Sequence, residues 1–205
     1  ADGRIDRTVA LKVLRRAGRA VARQFDRERR ALALLEHPNI ARLYDADVVR
    51  DGPYRDTPFL VMERVDGLPI TDAADRFELD ARIRLILQVC AAVGFAHGRL
   101  VLHRDLKPSN ILVREESGRG LATIIDFGVA KAMGGALTEQ TLHTEQGRIL
   151  GTPEYMSPEQ AGRGEGAVDT RSDVYSLGVV LYELLSGALP FESETLRGSG
   201  YDKLK

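Results

Sequence analysis

The sequence predicts an α+β fold in which strands dominate the first third and helices the remainder. Three observations predict it. Runs with β patterning occupy residues 7–14, 40–49 and 57–65. Helical patterns occupy residues 80–98 and 171–187. Between those two helices lies a charged knot set in apolar flanks, Val101 to Val113, VLHRDLKPSNILV.

The chain of 205 residues has room for one domain or two small lobes. A chain of this length buries roughly 70% of its unfolded surface, so a true core is expected. Net charge is -1, and nothing global points to nucleic acid or an anionic membrane. The single cysteine, Cys90, excludes an internal disulfide and fits a reducing compartment, the cytoplasm. It sits in an apolar run and is expected to pack in the core. No stretch approaches the ~20 apolar residues of a spanning helix. Residues 1–20 lack the apolar segment of a signal peptide.

Taken in order, RTVALKVL (7–14) alternates around Lys12 and reads as a strand. Residues 18–35 read as a helix with Phe25, Leu32 and Leu35 on one side and Glu28 inside it. Its seven neighbouring arginines, Arg15 to Arg30, lack interleaved aromatics and read as a solvated face rather than a nucleic-acid patch. The strands at 40–49 and 57–65 are joined by a turn at Asp51-Gly52-Pro53. In the 80–98 helix, Asp80 is the expected cap, and Ile83, Ile86, Leu87, Cys90, Val93 and Phe95 the expected apolar side. Gly118 to Gly120 forms a turn before a short strand at 121–125. Residues 129–158 read as a long loop. The 171–187 helix is apolar on nearly every side and is expected to be buried all round.

The knot holds an acid, Asp105, a cation two positions on, Lys107, and an amide, Asn110. This set suits phosphoryl transfer. A carboxylate orients a hydroxyl, a cation meets the moving phosphoryl group, and an amide oxygen helps to hold a metal ion. Sixteen residues after Asn110 comes Asp126-Phe127-Gly128, a second carboxylate for metal.

His103-Arg104-Asp105-Leu106-Lys107-Pro108-Ser109-Asn110, followed by Asp126-Phe127-Gly128, resembles the catalytic and metal-binding loops of protein kinases. Lys107 two after the acid is the serine/threonine pattern. HPNIARLYD, GTPEYMSPEQ and SDVYSLGVVLYELLSG resemble the eukaryotic-like kinases of bacteria. The resemblance implies a two-lobed α+β fold: a partial small lobe over 1–62, a hinge at 63–67 and a partial large lobe over 68–205. It implies a protein serine/threonine kinase that moves the ATP γ-phosphoryl group to a protein hydroxyl, with autophosphorylation open to it. The cofactors implied are ATP and Mg²⁺, with Mn²⁺ as an alternative.

The roles implied are specific. Lys12, in Val-Ala-x-Lys, holds the α and β phosphates and pairs with Glu28. Ala10, Met62, Glu63, Val65 and Leu112 surround the adenine, and Met62 also serves core packing. Asp105 is the catalytic acid-base residue and Lys107 its cationic neighbour. Asn110 and Asp126 hold metal. His103, Arg104, Phe127, Glu159 and Asp173 are structural, and Asp173 holds the catalytic-loop backbone. Thr141, Thr144 and Thr152 belong to the activation segment. Thr141 and Thr144 are the favoured phosphosites, with Arg104 as receiving guanidinium. Thr152 is expected to bond Asp105 and Lys107.

Two departures from the family pattern are visible. Ala1 to Asp6 leave no room for the glycine-rich hairpin, and no helices follow the 171–187 segment, so a domain truncated at both ends is expected. The alternative is a non-catalytic kinase-like scaffold or an inactive fragment. Against it, Lys12, Glu28, Asp105, Asn110 and Asp126 are all present. A small-molecule phosphotransferase is disfavoured by Lys-Pro-x-Asn and Ser-Pro-Glu. A cytoplasmic location is expected, including as the cytoplasmic part of a membrane-anchored parent, with no membrane contact from this segment.

Overall fold

The computed structural model describes residues 7–13, 25, 29–127, 153–161 and 168–191. Three strands form the first sheet: β1 (Val9–Val13), β2 (Leu43–Val48) and β3 (Pro58–Glu63). Their order is β1-β3-β2, all antiparallel, with Lys12 opposite Leu60 and Ala10 opposite Met62. The β2–β3 connection turns at Gly52, whose φ of +81° a glycine adopts without steric cost. Residues 29–33 are helical, as is Phe25. Phe25, Ala46 and Leu60 form the small core under this sheet, with Leu32 and Met62 packed against it. The expected apolar side of the first helix is thus the side that is buried.

After β3 the chain runs through 64–67 to β4 (Leu68–Pro69), α1 (Ile70–Ala74) and α2 (Leu79–His97). β5 (Ile111–Glu116) and β6 (Arg119–Ile124) make a hairpin, and β4 joins it as a second sheet of order β4-β5-β6. The turn is Ser117-Gly118, not 118–120: both residues have positive φ, as a two-residue hairpin of matching twist requires. α3 spans Thr170–Ser186. Asp169 caps it by accepting the Arg171 backbone N–H, and Gly187, at φ +73°, ends it.

The main core lies where α2 and α3 cross beneath the β5–β6 hairpin, with Leu85, Ile86, Val89, Ile111, Ile124, Val180 and Leu184 buried. Three expectations are corrected here. The α2 core stripe is Leu85, Ile86, Val89, Ala92, Val93 and Ala96, so Ile83, Leu87 and Cys90 face outward. The α2 N-cap is Glu78, with no side-chain cap bond, and Asp80 sits in the first turn. α3 is buried on one side only: Val179, Val180 and Leu184 are covered, whereas Val174, Tyr182 and Leu185 are exposed. The described elements packed on α3 are α1, α2 and the 153–155 turn, and they cover that one side.

Candidate active site

The site is assembled from two loops that lock each other. The first is 101–110, between α2 and β5. The second is 125–127, after β6. Ile125 joins them: its N–H donates to the Asn110 carbonyl at 2.9 Å, and its carbonyl accepts from His103 Nε2 at 3.3 Å. His103 is fully buried against Phe127, with ring centroids 4.7 Å apart. The Asp105 N–H donates to His103 Nδ1 at 3.2 Å, so the ring proton sits on Nε2 and points to Ile125. Both ring nitrogens are satisfied in the neutral imidazole. Burial holds the His103 pKa below its ordinary value, against the opposing pull of Asp173 and other carboxylates.

Asp173, near the start of α3, anchors the first loop. Its Oδ2 accepts the His103 N–H at 2.8 Å, and its Oδ1 accepts the Arg104 N–H at 2.8 Å. His97 Nε2, at the end of α2, meets Oδ2 at 2.8 Å. Arg104 is left-handed, with φ +63°. Both sides of this residue are pinned, since its carbonyl accepts from Gln160 Nε2 at 2.9 Å. That pinning maintains a conformation costing ~1–3 kcal/mol in a non-glycine residue. Asp126 is likewise left-handed, with φ +64°.

The functional groups then converge on Asp105. Lys107 Nζ lies 3.2 Å from Asp105 Oδ2. Asn110 Nδ2 donates to the Asp105 carbonyl at 2.8 Å and to its Oδ2 at 3.3 Å. This fixes the amide so that Oδ1 is the atom left to accept. Asp126 is ion-paired with Lys12 of β1, which ties the first sheet to the second loop. Ala10 and Lys12 share a face of β1, and Met62, opposite Ala10, lies on it as well.

Glu63 is more constrained than expected. Its N–H donates to the Arg42 carbonyl at 2.8 Å, which leaves only its carbonyl for an adenine contact. Its carboxylate turns toward Arg114, at 3.7 Å. Val65 and Leu112 are partly buried, in the 64–67 connection and on β5. Glu159 accepts from Ser172 Oγ at 2.6 Å, joining the Ser-Pro-Glu segment to α3. Glu28, Thr141, Thr144 and Thr152 lie outside the described residues.

Sequence reasoning missed His97, Gln160 and Ser172. His97 stands six positions before His103, on the last turn of α2, and Gln160 directly follows Glu159. Those spacings were the only available signals, because the contacts of His97 with Asp173 and of Gln160 with the Arg104 carbonyl span 76 and 56 positions.

The donor set suits a hard divalent cation. One carboxylate, Asp126, and one oriented amide oxygen, Asn110 Oδ1, leave further positions for phosphate oxygens and water, the usual way Mg²⁺ is held. Among the described residues no group of three or more His, Cys, Asp or Glu could hold a metal unaided.

The protein kinase domain family matches residues 2–204. The chain is 41% identical over 179 residues to the serine/threonine-protein kinase Pkn1 of Myxococcus xanthus, covering 86% of this chain and 24% of that protein. It is 37% identical over 215 aligned positions to the serine/threonine-protein kinase PknB of Mycobacterium leprae, covering 100% of this chain and 32% of that protein. The crystal structure of the Mycobacterium tuberculosis PknI kinase domain superposes with a TM-score of 0.62 at 28% identity, over 90% of this chain and 66% of that one. The chain thus spans about a quarter to a third of the curated relatives it matches. Kinases of this family use ATP and a divalent metal ion and act on proteins. Among the described residues no helix is long and apolar enough to cross a membrane. With its loops, its sheet order and these matches in agreement, the chain belongs to the protein kinase domain family, and the curated relatives named here are bacterial serine/threonine-protein kinases.

Proposed function

We propose that this chain itself transfers the γ-phosphoryl group of ATP to a serine or threonine hydroxyl of a protein, its own chain included. The observation that carries the proposal is the convergence of Lys107 and Asn110 on Asp105, in a loop cross-bonded to the one bearing Asp126. Asp105 orients the incoming hydroxyl and takes its proton, a contribution worth ~10²–10⁴ in rate. Lys107, 3.2 Å away, screens that carboxylate and meets charge developing on the transferred group. Lys12 exchanges its pairing with Asp126 for the nucleotide phosphates, with Glu28 as its further partner.

Asn110 and Asp126 would hold Mg²⁺, which neutralises phosphate charge when bound. Adenine is received by Ala10, Met62, Leu112, the Glu63 carbonyl and the Val65 backbone. The lobes divide at 1–62, 63–67 and 68–205, a division supported by β3 ending at Glu63 and β4 beginning at Leu68. Modification of Thr141 or Thr144, received by Arg104, is the proposed means of ordering the activation segment. The location proposed is the cytoplasm, as part of a membrane-anchored parent or alone. The alternative of a non-catalytic scaffold has no observation in its favour among the residues of this site.

Mass spectrometry of the chain after incubation with Mg²⁺-ATP and a generic basic protein tests this. Phosphoryl groups on serine or threonine of either protein are expected. A folded chain that modifies neither would overturn the proposal.

A further inference from the structure

A second concavity lies away from the Asp105 cluster. It is a cleft of about 540 Å³ between the first turns of α2 and the β5–β6 hairpin, lined by Phe77, Ala81, Arg84 and Gln88 and, on the hairpin, by Gly118, Arg119 and Gly120. Its size falls within the ~300–1,000 Å³ of ordinary ligand clefts. Its two charged lining side chains are Arg84 and Arg119, and no carboxylate lines it. Among the described residues neither guanidinium has an ion-pair partner, unlike Arg42, Arg50, Arg82, Arg114 and Arg171.

The walls are pre-formed. The Gln88 carboxamide is fixed by three bonds: Oε1 accepts from Asn39 Nδ2 at 3.0 Å and from the Ala122 N–H at 2.9 Å, and Nε2 donates to the Gly120 carbonyl at 3.1 Å. Gly120 lies tight against Phe77 and Leu85, where a Cβ would come within 2.9 Å of Leu85 Cδ2. A cleft held this way needs little ordering on binding, which favours affinity.

We infer that this cleft is a docking groove for a short acidic peptide segment of a partner protein. The two guanidiniums supply charge complementarity for carboxylates. Of the remaining lining, the Gln88 carboxamide is engaged by its three internal bonds, and Phe77, Ala81 and the glycines present an apolar or featureless surface that a bare anion would leave uncovered. A peptide bearing both carboxylates and an apolar side chain meets both parts. Such a groove would hold a partner on the kinase at a place separate from the proposed phosphoryl-transfer residues, so its occupancy and catalysis are measured independently.

The test is fluorescence anisotropy with a labelled hexapeptide of glutamates flanking a Leu-Phe pair, read on the full chain without nucleotide. Saturable binding in the micromolar range is expected. The Arg84→Glu/Arg119→Glu double variant should weaken it at least tenfold, and Arg50→Glu, on β2's far connection, should leave it unchanged. A peptide with lysines in place of the glutamates should not bind. No saturation by the acidic peptide, or equal binding by the double variant, would overturn the inference. Full displacement by inorganic phosphate alone would replace it with a simple anion site. Circular dichroism of the double variant establishes that it is folded, and none of these outcomes depends on phosphoryl transfer.

Discussion

Lys12 and Asp126 are ion-paired although 114 positions separate them in the chain. Their contact couples the first sheet to the 125–127 loop through two side chains that are each about a quarter to a third exposed. An exposed pair of this kind contributes only ~0–1 kcal/mol to stability. Its value is positional. Lys12→Met should therefore leave the melting temperature nearly unchanged and lower kcat/KM for ATP by ~10²-fold or more. Differential scanning fluorimetry and initial-rate kinetics on one preparation check both halves.

Asp173 behaves differently because it is buried and accepts from three donors. Asp173→Ala leaves the His103 and Arg104 amides without an acceptor. Each orphaned buried donor costs ~1–3 kcal/mol, so a loss of about 3 kcal/mol or more is expected in urea unfolding. Arg104 loses one of its two pins, so kcat should fall in variants that remain folded. An Asp173→Ala chain with wild-type stability would show that these bonds are not formed.

The neutral, buried His103 gives folding a pH dependence. Its folded pKa lies below its ordinary value of 6.5, so below about pH 6.5 the unfolded chain binds the extra proton more readily than the folded one. Its stabilising contribution is present above that pH and is lost as pH falls through the lower folded value. The melting temperature should drop on acidification from pH 7 to 5, and His103→Gln should flatten that slope. A slope identical in the variant would assign the effect to other groups.

Two glycines are predicted to differ in tolerance. A Cβ at Gly67 would sit 2.8 Å from the Val113 carbonyl oxygen, a backbone atom that cannot step aside. At Gly120 the obstacles are the ends of the Leu85 and Phe77 side chains, which can shift by a few tenths of an ångström more cheaply than backbone can. Gly67→Ala should cost ~1–3 kcal/mol and raise the KM for ATP, since it displaces the proposed hinge. Gly120→Ala should cost less. Urea titrations of the two variants rank them directly.

Much of this was legible in the sequence because the chemistry is carried by contiguous motifs. His103 to Asn110 and Asp126-Phe127 sit in loops whose residues contact one another, and β1 alternates between exposed and half-buried positions. The helix faces were harder. RIRLILQVCAAV in α2 is apolar in several directions, so periodicity alone chose Ile83, Leu87 and Cys90, whereas packing against β6 and α3 selected Leu85, Val89 and Ala92. The same excess of apolar residues in α3 suggested burial on all sides, while its described neighbours cover one. The roles of His97 and Gln160 were hidden because they depend on partners 76 and 56 positions away. Local spacing carries no record of such tertiary bonds.

The central claim is that Asp105 organises phosphoryl transfer in this chain. The most direct measurement is radiolabel transfer from γ-labelled Mg²⁺-ATP to a generic basic protein and to the chain itself, comparing wild type with Asp105→Asn. The predicted result is transfer by the wild type that falls by ~10²–10⁴-fold in the variant, with nucleotide binding retained by both. Undiminished transfer by a folded Asp105→Asn chain would contradict the account.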